Sequence, residues 1–568
     1  MFGNCTNRVI SEEYIDFITD YELASDGELE ERDICYNNID SIYNSVYVPM
    51  EQYSPNTLIE HGYKIYVRLF GLLDYQNIEA TGVTRLRSIP NLDLRGQGVL
   101  IGIVDTGIDY SHNTFLKADG TTKIASIWDQ TIQSGIHPGN INYGSVYTSE
   151  QINLALKSTN PLEIVPSTDE IGHGTLLAGI IAGAEDNNNN FSGLVPDAEI
   201  VVVKLKPAKQ NIRYLYAVPE DAICYQENDI MLGVKYLIDT ARELDRPISI
   251  CIGLGTSQGA HDVNGALSTY LSNLGQVDGI AVSIAAGNEG MSRRHYERVL
   301  GRNTDGDTVE LRVGANEKGF MMEIWGDAPN TFSIELVTPG GEYVPTIAPR
   351  LQENRDISFV FENTDLSIFF QIVGSRSGAQ LTIIRLRNPT EGTWKFTINK
   401  VNKALELRLN IWLPINQFIG PETYFISSTP YTTLTSPANV FIPIVATAYD
   451  SGNNSLYAYA SKGYTRTDQI APTLAAPGIN VLCPVPNNEY SVHSGTSISA
   501  AYIAGIAAIL LEWGKVRGYI KHLDGTDIKN LLIRGATRSP NIEYPNRDWG
   551  YGVVNIIGAY ESLRGSLP

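Results

Sequence analysis

Five short runs of β-branched and apolar residues constrain this chain most: VLIGIVD (Val99–Asp105), IVVVKL (Ile200–Leu205), ISICIGL (Ile248–Leu254), IAVSIAAG (Ile280–Gly287) and FIPIVATA (Phe441–Ala448). None alternates polar with apolar positions, so each reads as a strand covered on both faces, the usual condition of a parallel sheet. Segments with helical spacing, HGTLLAGIIAG and NDIMLGVKYLIDTARELD, lie between them. Strands and helices in alternation imply crossover connections, and the pattern predicts a doubly wound α/β domain.

A chain of 568 residues, 43% hydrophobic and 18% charged, is too long for one ordinary core and too apolar to be disordered. Residues 296–418 have a different texture: short segments alternate apolar and polar residues between Gly, Pro, Asn and Asp turns. In TWKFTINK, Trp394, Phe396 and Ile398 face one way, and in LELRLNIW so do Leu405, Leu407, Leu409 and Ile411. This predicts an antiparallel β-sandwich inserted into the α/β domain, which then comprises 76–295 and 419–568. The first 75 residues lack buried-strand runs, are rich in acids and tyrosines, and read as a separate small α+β unit.

Charge and composition narrow the partners. The net charge of −21, from 42 Lys and Arg against 63 Asp and Glu, repels phosphate backbones and anionic headgroups, so neither nucleic acid nor a membrane surface is expected. The longest apolar run, Ala500 to Leu511, is shorter than the roughly 18 residues of a membrane span. The N-terminus has no basic start, no unbroken apolar stretch and no small-residue cleavage site, so no export signal is expected; the cytoplasm and unconventional release both stay open. Cys5, Cys35, Cys224, Cys251 and Cys483 are scattered without metal-ligand spacing and read as small buried hydrophobes or incidental thiols.

Four local motifs occur in order: D-T-G at Asp105, G-H-G-T at His173, A-A-G-N at Asn288 and S-G-T-S at Ser497. The order Asp, His, Ser is one of the known chain orders of a nucleophile triad. Together these motifs resemble the subtilisin-like serine peptidases, the subtilase family, and they span the whole α/β region. The resemblance implies a serine endopeptidase. A serine hydroxyl is a weak nucleophile at neutral pH, so His173 would take its proton as Ser497 attacks the scissile carbonyl, while Asp105 orients the imidazole and stabilises its cation. The resemblance gives Asn288 the side-chain arm of the oxyanion hole beside the Ser497 backbone N–H. It also gives Gly253, Leu254 and Gly255 the role of a substrate-binding strand, pairing main chain to main chain with an extended peptide or protein.

Departures from the family pattern are Ile498, Ser499 and Ala501 after the nucleophile, which change helix packing and remove no reacting group. The inserted sandwich, the long Asp-to-His interval and the absence of an export signal are similar to the clostridial Csp germination proteases and related Firmicutes subtilases. That closer likeness implies an N-terminal prodomain over residues 1–75 that the enzyme cuts itself, near Phe70 to Gln76, and that stays in the cleft. It also implies a jelly-roll insert that rigidifies the catalytic unit and a spore-cortex lytic enzyme precursor as target.

Each motif also has a plainer reading. A lone D-T-G turn or G-H-G-T helix start is commonly structural; four in order are not. His112 reads as a structural histidine, His493 as a packing residue or a neighbour of the cleft, and His261 and His295 carry no motif. GLGTSQG has the wrong glycine spacing for a phosphate loop. Asp186 with Asn187 to Asn190 has oxygen ligands for calcium, as subtilases often do in this neighbourhood, but reads as a solvated loop, so no metal and no cofactor is expected. Two competing functions are a catalytically silent pseudoprotease, against which the intact triad stands, and a β insert that acts as a targeting module.

Overall fold

The structure is a computed structural model and describes residues 5–20, 34–53, 62–72, 93–350, 352–374 and 377–563. Its centre is a nine-stranded sheet. Across it run Ser145–Thr148, Ile124–Asp129, Glu199–Lys204, Leu100–Asp105, Ile248–Ile252, Ile280–Ala285, Ile444–Asp450 and Ser455–Leu456, with Leu474–Pro477 also pairing to Ile444–Asp450. Pairing is parallel except at the two outer strands, Ser145–Thr148 and Ser455–Leu456.

The unbroken apolar runs are explained by the two cores they serve. Ile101 and Ile103 pack on one face with helices His173–Ala182 and Thr496–Leu511, whereas Leu100 and Val104 pack on the other with helix Glu227–Glu243. Side chains alternate across a strand, so a sheet with helices on both faces needs an apolar residue at every position. Thr496–Val516 is the one helix among the described residues long and apolar enough to cross a membrane, longer than the sequence run implied. Of its most apolar 18-residue stretch 94% is buried inside the protein, where it acts as the central core helix.

Residues His295–Phe425 supply two antiparallel sheets. The six-stranded one runs His295–Leu300, Leu407–Trp412, Gly319–Gly326, Gln380–Arg387, Asp365–Gln371 and Gln352–Ser358. The five-stranded one runs Tyr343–Ile347, Phe332–Val337, Gly392–Lys400, Gly306–Val313 and Tyr424–Phe425. Trp394, Phe396, Ile398, Leu407, Leu409 and Ile411 fill the core between them. The outer face of the six-stranded sheet is apolar too: Met321, Trp325, Phe369, Ile383 and Trp412 join the core shared with Ile252, Leu254 and the N-terminal residues Tyr63, Tyr66 and Phe70. Hence every residue of Gly319–Gly326 is buried.

The N-terminal unit has a short helix, Cys5–Ile10, and a sheet ordered Tyr14–Asp20, Tyr43–Pro49, Cys35–Asn38. The expectation of unpaired thiols needs one correction, since Cys35 is disulfide-bonded, while Cys224, Cys251 and Cys483 are free and buried.

Candidate active site

Asp105 ends a central strand, His173 opens one helix and Ser497 lies in the first turn of another, so all three meet at the carboxyl edge of the sheet. His173 Nδ1 lies 2.8 Å from Asp105 Oδ1, and its Nε2 lies 3.2 Å from Ser497 Oγ. Asp105, His173 and Ser497 are all buried. Thr106 donates its backbone N–H to the same Asp105 oxygen at 2.8 Å, which anchors the carboxylate.

The helix that carries His173 is fixed by Asp169, a buried residue the sequence reading passed over. Its Oδ1 accepts from Gly172 N, and its Oδ2 accepts from Thr175 N and Oγ1, at 2.7–2.9 Å. The two N–H donors belong to the helix start, where backbone N–H groups lack intrahelical partners. Gly174 packs so closely on Gly107 that a Cβ would overlap the Gly107 carbonyl, which accounts for a glycine after His173.

Asn288 lies beside the nucleophile. Its Oδ1 accepts from Thr496 N at 3.2 Å and Thr496 Oγ1 at 3.1 Å, and Thr496 Oγ1 in turn accepts from Gly287 N. With the oxygen engaged by Thr496, the opposite end of the carboxamide, Nδ2, is its donor end. Ser499 Oγ bonds Ala476 O and Pro477 O and so ties the nucleophile helix to the sheet.

The three residues of the expected substrate-binding strand differ in their surroundings. Leu254 and Gly255 pair antiparallel with Leu72 and Gly71. Gly253 instead abuts the triad: a Cβ there would meet His173 Cε1 at 2.9 Å and Ser497 Cβ at 3.3 Å. On its other edge the Leu69–Leu72 strand pairs with Tyr225–Gln226, giving the order Leu254–Gly255, Leu69–Leu72, Tyr225–Gln226. The expected cut near Phe70 to Gln76 is thus described only as far as Leu72; Leu73 to Gln76 lie outside the described residues.

The other histidines occupy distinct settings. His112 is buried, with Nδ1 accepting from Thr114 N and Nε2 3.1 Å from Glu489 O. His493 contacts Ser491 Oγ, and burial, with the nearby His173 second, pulls its pKa down to about 4. His261 and His295 sandwich the Trp412 indole, at centroid distances of 3.9 and 4.6 Å, and so join catalytic unit to sandwich without a sequence motif. The Asp186 carboxylate organises its own turn, accepting from Asn188 N, Asn189 N, Asn189 Nδ2 and Tyr490 OH. No group of three or more His, Cys, Asp or Glu arranged to hold a metal is found among the described residues.

Known proteins resemble this chain over much of its length. A family model described as the subtilase family matches residues 96–552. Bacillopeptidase F of Bacillus subtilis is 26% identical over 164 residues, 28% of this chain and 11% of that protein. The C5a peptidase of Streptococcus pyogenes is 20% identical over 438 residues, 73% of this chain and 34% of that protein. The chain therefore spans about a tenth to a third of these curated relatives. A solved structure of the CspB protease of Clostridium perfringens matches with a TM-score of 0.75 at 31% identity, over 85% of this chain and 98% of that one.

Proposed function

The chain belongs to the subtilase family, and from that premise we propose that it is a serine endopeptidase acting through Asp105, His173 and Ser497, with residues 1–75 as a prodomain it cleaves itself. The observation that carries this reading is the unbroken hydrogen-bonded line from Asp105 through His173 to Ser497 Oγ. His173 Nε2 takes the Ser497 proton as Oγ attacks the scissile carbonyl carbon, Asp105 stabilises the resulting imidazolium, and the proton then passes to the leaving amine. Asn288 Nδ2 and the Ser497 backbone N–H stabilise the negative charge on the carbonyl oxygen. Water attacks the acyl-enzyme in the same manner and restores Ser497.

Substrates are extended protein segments that pair with Leu254 and Gly255. Residues 296–418 form a jelly-roll insert that braces the catalytic unit, residues 76–295 and 419–568. The likeness to the CspB protease suggests activation of a spore-cortex lytic enzyme precursor during germination. A second reading, an enzyme held silent by its own prodomain, is favoured by the Leu69–Leu72 strand paired on both edges within the cleft.

Intact mass and N-terminal sequencing of wild type beside Ser497→Ala test the proposal. Cleavage of wild type near residues 70–76 with an uncut variant is expected. Two uncut chains, neither labelled by a fluorophosphonate, would hand the case to a pseudoprotease.

A further inference from the structure

The strand Leu69–Leu72 is held on a third side, by a short segment that follows the sandwich. Ile415 and Phe418 are buried, and Phe418 N bonds Ile415 O across the 3-10 turn Asn416–Phe418. Asn416 fastens this turn beside the oxyanion loop: its N–H donates to Glu289 Oε1 at 3.1 Å and its Nδ2 to Ser292 Oγ at 2.6 Å. Gln417 then reaches over the strand. Leu72 N donates to Gln417 Oε1 at 3.2 Å, and Gln417 Nε2 donates to Leu72 O at 3.0 Å.

The carboxamide thus reads Leu72 as a neighbouring strand would, with one donor and one acceptor. To sit there it lies across Gly71. A Cβ on Gly71 would collide with Gln417 Oε1 and would come within 2.8 Å of Ile415 Cδ1. Gln417 is itself solvent-exposed and has room to swing outward, but only by giving up both bonds to Leu72. Ile415 has no such freedom within the core.

Resting on the reading that Leu69–Leu72 lies in the cleft as a substrate would, we propose that Ile415 and Gln417 form a strap that selects glycine at the substrate position paired with Gly255. An alanine there displaces the carboxamide and forfeits two main-chain hydrogen bonds, so discrimination is about tenfold or more. Selection of this kind acts through the substrate backbone and one missing methyl group, and it restricts targets to segments with glycine in an extended stretch.

The rate of self-cleavage is compared in the full chain for wild type, Gly71→Ala, the strap variant Ile415→Val/Gln417→Ala and the combined triple variant. Gly71→Ala is expected to slow cleavage about tenfold or more, and the triple variant to return to within about threefold of the strap variant alone. Cleavage of Gly71→Ala at the wild-type rate overturns the proposal, as does a triple variant no faster than Gly71→Ala. If wild type does not cleave at all, the self-processing part of the proposed function fails and the strap is judged separately, in Ser497→Ala chains, by hydrogen exchange at the Leu69 and Leu72 amides. There Gly71→Ala is expected to lower protection about tenfold while the melting temperature of the chain holds. Unchanged protection overturns the strap independently of catalysis.

Discussion

Asn288 has one acceptor end and one donor end, and Thr496 takes the acceptor with two of its own donors. Under the proposed mechanism, Asn288→Leu keeps the volume and removes the donor, so turnover should fall about 100- to 1000-fold with little change in KM. Active-site-titrated kinetics on a peptide substrate check this, and an unchanged kcat would remove Asn288 from the oxyanion hole. Asp169 works through His173 rather than on substrate. Asp169→Ala leaves Gly172 N and Thr175 N without their acceptor and should lower both stability, by about 1–3 kcal/mol, and kcat. Thermal melting read beside kcat distinguishes a positioning effect from simple unfolding. D-T-G, G-H-G-T, A-A-G-N and S-G-T-S were legible because each holds a reacting group in a short local signature. Asp169 and Gln417 carry no signature: Asp169 acts through backbone N–H groups of its own segment, which any residue type supplies, and Gln417 through Leu72, far away in the chain.

At the scale of elements, the strand Ile248–Ile252 runs into a glycine for a steric reason. Gly253→Ala places a methyl group 2.9 Å from His173 Cε1 and should tilt the imidazole away from Ser497, cutting kcat at least about tenfold while Leu254 and Gly255 keep their pairing. A loss confined to KM would return Gly253 to substrate binding. The histidine–tryptophan stack makes a pH-dependent joint between sandwich and catalytic unit. Burial pulls His295 down to about 4, so as the pH falls the unfolded chain takes up this proton first. The stability carried by neutral His295 is intact above about pH 6.5 and is lost progressively between there and about pH 4. At pH 5 the loss is about 2 kcal/mol. His295→Asn should therefore melt lower at pH 7 and show a shallower fall to pH 5; parallel wild-type and variant curves would contradict this.

For the whole molecule, the decisive feature is that N-terminal unit, catalytic unit and sandwich share one core. Asp16 sits at the junction, buried, accepting from Lys209 Nζ, Gln226 Nε2 and Asn228 Nδ2. Lys209 also donates to Arg8 O and Tyr14 O, so this one ammonium group grips three points of the N-terminal unit. Removing one partner of a buried ion pair strands the other, at a cost of about 3–5 kcal/mol. Asp16→Ala in a Ser497→Ala background should raise hydrogen exchange in Tyr14–Asp20 and Tyr43–Pro49 by a factor of about 100 or more, with the central sheet unaffected. Equal exchange would show that the apolar core alone holds the unit. By itself the sequence determined the doubly buried sheet, the sandwich texture and the four motifs, because periodicity and local signatures act over a few residues. Tertiary structure decided the strand seated against Leu254 and Gly255, the strap over Gly71, the outward apolar face of the sandwich and the Asp16–Lys209 junction, because each joins segments far apart in the chain and becomes visible only once they are packed together.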